Sequence, residues 1–160
     1  MTVKIISNSE SETLELGREL GKKILPGITV LLYGDLGTGK TVFVRGVGEA
    51  MQAHGVRSPS FTLINEYETK TGNFLIHSDL YRLDENGVRS LGIEEYERSG
   101  DSILFVEWAE RWPNPPAENV IKIFFKALNE NQREIKILFT GEKAKKIITD
   151  NEYFSDRLLP

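Results

Sequence analysis

The chain has 160 residues, about the length of one domain, and its 39% hydrophobic and 28% charged residues are typical of a folded globular protein. It has no cysteine, which excludes disulfide scaffolds, zinc ribbons and thiol nucleophiles, and its two histidines, His54 and His77, make a poor transition-metal site. The net charge of −4 argues against a stand-alone nucleic-acid-binding protein, because such proteins need a concentrated basic face.

Neither the apolar runs nor the N-terminus predicts a membrane or secretory segment. The longest apolar runs, such as residues 30–33 and 103–106, are far too short to span a bilayer. The first residues turn acidic at once and lack the apolar core of a signal peptide. No repeat, low-complexity tract or linker divides the sequence, so we expect one cytoplasmic domain over residues 1–160.

The N-terminal segment predicts a strand followed by a helix. Residues 3–6 form a short β-prone run, and Ser9 with Glu12 then forms a capping box, in which a hydroxyl and a carboxylate satisfy free amides at a helix start. Apolar residues recur every four positions from Leu16, so we expect the helix to run to about residue 24 and to stop before Pro26.

The later segments predict further strands and helices of a mixed α/β protein. The unbroken apolar run at residues 28–33 is typical of a strand covered on both faces, as in parallel sheets. The other predicted elements, in chain order, are a helix after residue 41, strands at 61–67 and 74–79 around a turn at 70–73, a helical region within 84–98, a strand at 103–106, strands at 120–126 and 133–139 around a turn at 129–131, and a short helix from residue 142 that frays.

A glycine-rich turn separates the apolar strand from the next helix and matches the phosphate-binding pattern G-x-x-x-x-G-K-[ST]. It reads Gly34-Asp-Leu-Gly-Thr-Gly-Lys40-Thr41. The amides of Leu36, Gly37, Thr38 and Gly39 are expected to point at phosphate oxygens, and the following helix offers its positive end to the anion. Lys40 is predicted to reach the β- and γ-phosphates and the Thr41 hydroxyl to coordinate magnesium. We therefore predict a P-loop NTPase-like three-layer sandwich, whose mixed sheet has a parallel core and antiparallel additions.

Two acidic residues end apolar strands and are candidates for the second magnesium contact. Glu107 follows residues 103–106, and Asp79 follows residues 74–78. We favour Glu107 as the magnesium-side acid and Asp79 as the residue that positions water or holds Thr41, and the alternative gives the metal role to Asp79. The sequence lacks the Asn-Lys-x-Asp box of GTP-binding proteins, so the predicted nucleotide is ATP.

The remaining basic residues do not predict a further site. Spacing alone does not assign an arginine finger. Five arginines are possible fingers, and for each of them we predict a surface role instead: Arg45, Arg57, Arg82, Arg111 and Arg133. The tail also carries a basic patch, which we interpret as a solvated helix face: Lys143, Lys145 and Lys146.

Five sequence blocks together resemble the TsaE (YjeE/YdiB) family, small bacterial P-loop ATPases required to make threonylcarbamoyladenosine in tRNA. The blocks are the loop at 34–41, Ser58-Pro-Ser-Phe-Thr-Leu63, His77-Ser-Asp-Leu-Tyr-Arg-Leu83, Gly92-Ile-Glu-Glu-Tyr96 and Val106-Glu-Trp108. They occur in the family's order and intervals, and the resemblance covers essentially the whole chain. One position departs from the family's pattern, since the family commonly has threonine where this chain has Ser60. Serine retains the hydroxyl group.

The resemblance implies an accessory ATPase that uses ATP and magnesium. In the family, TsaE associates with TsaD and TsaB, which transfer the threonylcarbamoyl group to adenosine 37 of tRNA, and ATP hydrolysis resets that complex. The chain would then reach tRNA only indirectly. The matching catalytic residues are Lys40, Asp79 and Glu107, and the matching magnesium ligands are Thr41 and Glu107. Thr13 and Arg133 are loose matches at the nucleotide's base end.

Two aromatic residues lie beside the two candidate acids. Tyr81 and Trp108 follow strands whose ends are expected at the carboxyl edge of the sheet, next to the phosphate loop. Because Tyr and Trp often anchor interfaces, we predict that they couple the nucleotide site to TsaD–TsaB. The alternative is that both rings pack into the core.

Two other functions stay open at this point. A small-molecule kinase would give a phosphorylated product instead of free phosphate, and no arginine-rich lid or acceptor pocket is visible in the sequence. A nucleotide-gated binding module would barely hydrolyse ATP and would tolerate the loss of both Glu107 and Asp79.

Overall fold

One seven-stranded mixed sheet organises the chain in this computed structural model, which describes residues 1–59 and 61–160. The strands are β1 (Thr2–Ser7), β2 (Thr29–Tyr33), β3 (Ile64–Glu68), β4 (Phe74–Asp79), β5 (Ser102–Glu107), β6 (Val120–Ala127) and β7 (Arg133–Thr140). The helices are α1 (Glu10–Gly21), α2 (Lys40–Ala50), α3 (Glu85–Leu91), α4 (Ile93–Ser99), α5 (Glu142–Thr149) and α6 (Glu152–Ser155). A short 3-10 turn follows β5 at Ala109–Arg111.

The sheet has a parallel core and antiparallel edges, as predicted. Its order is β1-β7-β6-β2-β5-β4-β3. The pairs β6–β2, β2–β5 and β5–β4 are parallel, whereas β1–β7, β6–β7 and β3–β4 are antiparallel. The C-terminal ends of β2, β5 and β4 therefore meet at one edge, where α/β sheets place their ligands.

The two faces of the sheet bury two separate cores. Alternate residues of β5 illustrate the division, since Ile103 and Phe105 pack with α1 and α2, whereas Leu104 and Val106 pack with α3 and α4. The predicted cap of α1 also forms, because the Ser9 hydroxyl accepts from the amide of Glu12 at 3.1 Å. The Glu12 carboxylate accepts from the amide of Asn8, one residue before the N-cap, at 2.6 Å. These layers confirm the predicted three-layer α/β architecture.

Three element boundaries differ from the predictions. The strand expected at 61–67 begins only at Ile64, because Leu63 adopts a φ of +65° and Phe61 is exposed. The helical region is split at Gly92, whose φ of +73° ends α3. The expected fraying of the tail is wrong, because α6 buries Phe154.

Ser60, the position where the resembling family commonly has threonine, lies outside the described residues. Across the described ranges 1–59 and 61–160, no helix has both the length and the apolar composition to cross a membrane.

Candidate functional site

A pocket of about 440 Å³ opens at the carboxyl edge of the parallel strands, around the turn between β2 and α2. Every site residue predicted from the sequence lines this pocket: Thr13, Leu36, Gly37, Thr38, Gly39, Lys40, Thr41, Asp79, Tyr81, Glu107, Trp108 and Arg133. They come from both ends of the chain, because α1 packs on α2 and β7 lies beyond β6 in the same sheet. The fold therefore brings all the predicted residues together.

The backbone of the glycine-rich turn is curled as the phosphate-binding pattern requires. Gly37 and Gly39 have φ values of +74° and +103°, which side-chain-bearing residues rarely adopt. Gly39 is the N-cap of α2, and the first turn of that helix carries no acidic residue. The helix therefore presents its first amides and its positive end to the pocket, which suits an anion.

The Lys40 side chain lies along this turn and is almost fully buried. Its ammonium donates to the carbonyl oxygens of Gly34 and Asp35, the latter at 2.8 Å, and lies 4.8 Å from the centroid of the Trp108 ring. Burial lowers the pKa of Lys40 below its usual value, and the negative charge of Glu107 opposes that shift. The ammonium is thus held at the phosphate turn by carbonyls and an aromatic face.

Thr41 and Glu107 meet across the pocket although they are far apart in sequence. The Thr41 hydroxyl donates to the Glu107 carboxylate, at 3.2 Å from Oε1 and 3.1 Å from Oε2. Glu107 is only 3% exposed because it ends the central strand β5. Hydroxyl and carboxylate oxygens are ligands that Mg²⁺ accepts, so this pair fits one side of a magnesium site.

The described residues contain no group of three or more His, Cys, Asp or Glu side chains that could hold a metal by themselves. A magnesium ion here would complete its coordination with water and phosphate oxygens, as Mg²⁺ usually does. The donor set therefore fits a cation that arrives with a phosphorylated ligand.

His77 is a site residue that the sequence reasoning missed. It is fully buried in β4, and its Nε2 atom lies 2.5 Å from Oε2 of Glu107. Its Nδ1 atom is also buried and has no hydrogen-bond partner in the described part of the chain. The signal was available in the strand period, because His77 and Asp79 share one face of β4 and Asp79 lies opposite Glu107 in the register.

Asp79 makes a different contact from the one with Thr41, which was one of the two expected for it. Its Oδ1 atom accepts from the amide of Tyr81 at 2.9 Å, and the hydroxyl of Thr41 donates to Glu107. Burial raises the pKa of Asp79 above its usual value, and the nearby Glu107 carboxylate adds to the increase. The structure therefore associates Glu107, and not Asp79, with Thr41.

Tyr81 and Trp108 form a ring pair at the mouth of the pocket. Their centroids are 4.8 Å apart and their planes are tilted by 40°. The Arg111 guanidinium lies 5.8 Å from the Tyr81 ring centroid and 5.7 Å from that of Trp108. Tyr81 is 38% exposed and Trp108 is half-buried, so the rings do not lie wholly in the core.

Thr13 and Arg133 flank the turn on its other side. Thr13 is buried and shares a hydrogen bond of 2.7 Å with the Ser7 hydroxyl. The Arg133 guanidinium donates to the carbonyl oxygen of Gly37 at 3.5 Å, and its buried Nε atom has no partner among residues 1–59 and 61–160. A Cβ atom at Gly39 would lie 3.3 Å from both side chains, so they enclose the turn tightly.

Comparisons with known proteins find similar proteins over most of the chain. The profile of the family described as "Threonylcarbamoyl adenosine biosynthesis protein TsaE" matches residues 7–135. Two curated relatives have the name "tRNA threonylcarbamoyladenosine biosynthesis protein TsaE". The one from Aquifex aeolicus is 38% identical over 84% of this chain and 94% of its own. The one from Nostoc is 40% identical over 86% and 85%.

A solved structure shares the fold as well. The crystal structure of YdiB from Bacillus subtilis superposes with a TM-score of 0.72 at 27% sequence identity. The match covers 94% of this chain and 93% of that one.

Proposed function

The chain belongs to the TsaE family, and from that premise we propose that it is an accessory ATPase of tRNA threonylcarbamoyladenosine biosynthesis. In this proposal the chain binds ATP with magnesium, hydrolyses it slowly, and supports turnover of a TsaD–TsaB transferase complex. The transfer to tRNA is carried out by the partners.

The observation that carries the proposal is the contact between Thr41 and Glu107. A hydroxyl at the start of α2 and a carboxylate at the end of β5 meet at 3.1 to 3.2 Å, beside a turn whose amides and Lys40 suit a triphosphate. When bound, magnesium would be held by Thr41 and Glu107 and would neutralise charge on the phosphate oxygens.

The chain's own side chains divide the remaining work. Lys40 exchanges the carbonyl oxygens of Gly34 and Asp35 for phosphate oxygens, which stabilises negative charge that develops there. His77 keeps the Glu107 carboxylate oriented. Asp79 lies at the same edge of the sheet and positions the attacking water.

A matched pair of substitutions tests this proposal. Glu107→Gln removes the carboxylate charge but keeps an amide oxygen that can accept from His77, so the fold is preserved. We expect turnover to fall by roughly a hundredfold or more, with ATP affinity nearly unchanged because the backbone amides persist. Glu110→Gln, which removes an exposed acid from the adjacent 3-10 turn, is the control and should keep parental turnover.

The assay measures ADP and inorganic phosphate together, in magnesium. Equal amounts of the two products identify an ATPase, and ADP without free phosphate would indicate a kinase. Full magnesium-dependent turnover by Glu107→Gln, with loss in an Asp79 variant, would transfer the metal role to Asp79. A pull-down with purified TsaD and TsaB tests the partnership, with ATP, with ADP and without nucleotide. The proposal requires that the amount of bound partner changes with the nucleotide.

A further inference from the structure

Within the described residues 1–59 and 61–160, part of the sheet has no helix over it on the face opposite α1 and α2. The core cluster on that face reaches β6 only at Val120. Beyond it, alternate residues of β6, β7 and β1 point outward, because their neighbours in sequence are buried in the other core. This uncovered area, which we call the lysine face, is centred on Lys4, Lys122, Phe124, Lys126 and Lys136.

The lysine face is strongly basic although the chain is acidic overall. Its outward positions on the three strands carry four lysines and one acid, Glu134, which pairs with Lys4 at 2.8 Å. Lys4 lowers the pKa of the Glu134 carboxyl, and Lys126 and Lys136 add to that effect. No ion pair within 4.0 Å involves the other three lysines in the described part of the chain. A concentrated positive area is therefore present although the net charge of the whole chain is −4.

An exposed aromatic ring lies in the middle of these lysines. Phe124 is 39% exposed, lies opposite Lys136 in the register, and stands two residues from Lys122 and from Lys126. One side of its ring stacks on Tyr33, with centroids 4.7 Å apart and planes only 10° from parallel. Tyr33 thus covers one side of the ring and fixes its orientation, and aromatic rings held in place on a sheet serve as stacking platforms for bases.

We propose that the lysine face binds RNA directly, with an unpaired base stacked against Phe124 and the neighbouring phosphates contacting Lys122, Lys126 and Lys136. Lysine is depleted in protein–protein interfaces, so a lysine ring around an aromatic residue favours a polyanion with bases over an acidic protein. Solvated lysines are ordinary on exposed sheet edges, but they do not account for an exposed phenylalanine among them. The inference goes beyond ATP hydrolysis and replaces the expectation of purely indirect contact with tRNA.

The lysine face is separate from the nucleotide site. Lys122, Phe124, Lys126 and Lys136 do not line the pocket that holds Lys40 and Glu107. Substitutions on this face are therefore expected to keep parental ATP turnover. This separates a failure of the RNA proposal from a failure of the proposed ATPase function.

The experiment uses the full chain and a fluorescein-labelled, unmodified tRNA transcript, with binding followed by anisotropy at several salt concentrations. Lys122→Gln, Lys126→Gln and Lys136→Gln are combined in one variant. The control variant combines Lys143→Gln, Lys145→Gln and Lys146→Gln, which removes the same charge from the tail patch. We expect the slope of log affinity against log salt to become shallower by about 2 to 3 in the face variant only.

Phe124→Leu tests the stacking part with the charge unchanged. It should weaken tRNA binding about tenfold, since one base loses its platform, and should leave binding of a fully paired RNA duplex unchanged. Parental affinity in Phe124→Leu would overturn the stacking contact.

Three other results would overturn the proposal itself. They are no tRNA binding by the parent chain, an equal loss in the tail variant, or a face variant that becomes a smaller oligomer by light scattering while keeping RNA affinity. The last result would assign the face to contacts between copies of the chain.

Discussion

Replacing His77 by leucine tests the buried support of the carboxylate at the centre of the site. The imidazole is fully buried, and its Nε2 atom lies 2.5 Å from Oε2 of Glu107, which is itself 3% exposed. In the leucine variant, the described side chains leave that carboxylate only the hydroxyl of Thr41. Removing one hydrogen bond to a buried charged group costs about 1.5 to 3 kcal/mol. For a chain of this length, that lowers the Tm by about 3 to 12 °C.

Activity should respond separately from stability, because the freed carboxylate no longer faces Thr41 in one fixed orientation. We expect His77→Leu to need more magnesium for half-maximal turnover and to reach a lower kcat, while ATP affinity stays close to parental. His77→Gln should restore much of the magnesium response, because a glutamine amide can place a donor near the position of Nε2.

Ser78→Ala is the matched control for lost stability. Ser78 is the next residue of β4, is equally buried, and donates to the carbonyl oxygen of Leu63, away from Glu107. The assay measures phosphate release against magnesium concentration, with thermal unfolding of each variant in parallel. If His77→Leu loses stability as Ser78→Ala does but keeps the parental magnesium midpoint and kcat, His77 is only a core residue and our reasoning is refuted.

Three further predictions concern other side chains of the pocket. Lys40→Ala should abolish tight ATP binding and turnover, and parental hydrolysis would contradict the phosphate-loop assignment, with Lys70→Ala as the control. Asp79→Asn should raise the Tm at pH 7, because burial raises the folded-state pKa of this carboxyl and its ionised form therefore destabilises the fold above that pKa. This increase in Tm should shrink as the pH falls through the raised pKa toward the usual value of 3.8. An increase in Tm that does not depend on pH would refute the prediction. Tyr81→Ala and Trp108→Ala should keep ATP affinity but lose stimulation by TsaD–TsaB, whereas unchanged stimulation with a lower Tm would favour core packing.

Strand and helix periodicity carried most of the fold prediction, because each buried element repeats its apolar residues at its own period. The helix after residue 41 was predicted on that basis, and the strand at 28–33 was predicted from its unbroken apolar run. They are confirmed as α2 and β2. The start of β3 was not predictable in this way, because the apolar residues Phe61 and Leu63 directly precede the strand and look like part of it. There the backbone turns at Leu63, with a φ of +65°, and leaves Phe61 exposed.

The site residues on strand ends were predictable, whereas their contacts were not. Glu107 and Asp79 were both expected at one sheet edge, but only the strand register shows that they lie opposite each other. Only the side-chain geometry shows that Thr41 donates its hydrogen bond to Glu107. His77 was missed although it shares a face of β4 with Asp79, because the sequence alone does not show that this face meets Glu107. The lysine face was missed because net charge is a sum over the whole chain and does not show which lysines lie on the same surface.

Trp108 lies between the glycine-rich turn and the exposed rim of the pocket. Trp108 has a φ of +57° and a ψ of +46°, a left-handed conformation that costs a residue with a side chain about 1 kcal/mol or more. This conformation directly follows Glu107 and places the indole 4.8 Å from both the Lys40 ammonium and the Tyr81 ring centroid. The amide of Leu80 donates to the carbonyl oxygen of Glu107 at 3.1 Å, which holds the two strand ends together.

A ligand phosphate that draws the Lys40 ammonium from its carbonyl partners therefore also changes its contact with Trp108. Because the ring of Trp108 rests on Tyr81, which is 38% exposed, we expect that change to reach the surface through this pair of rings. An unstrained turn after β5 would direct the indole elsewhere and separate these contacts. Under the proposed function, the left-handed conformation of Trp108 would thus let a partner at the rim sense which nucleotide the turn holds.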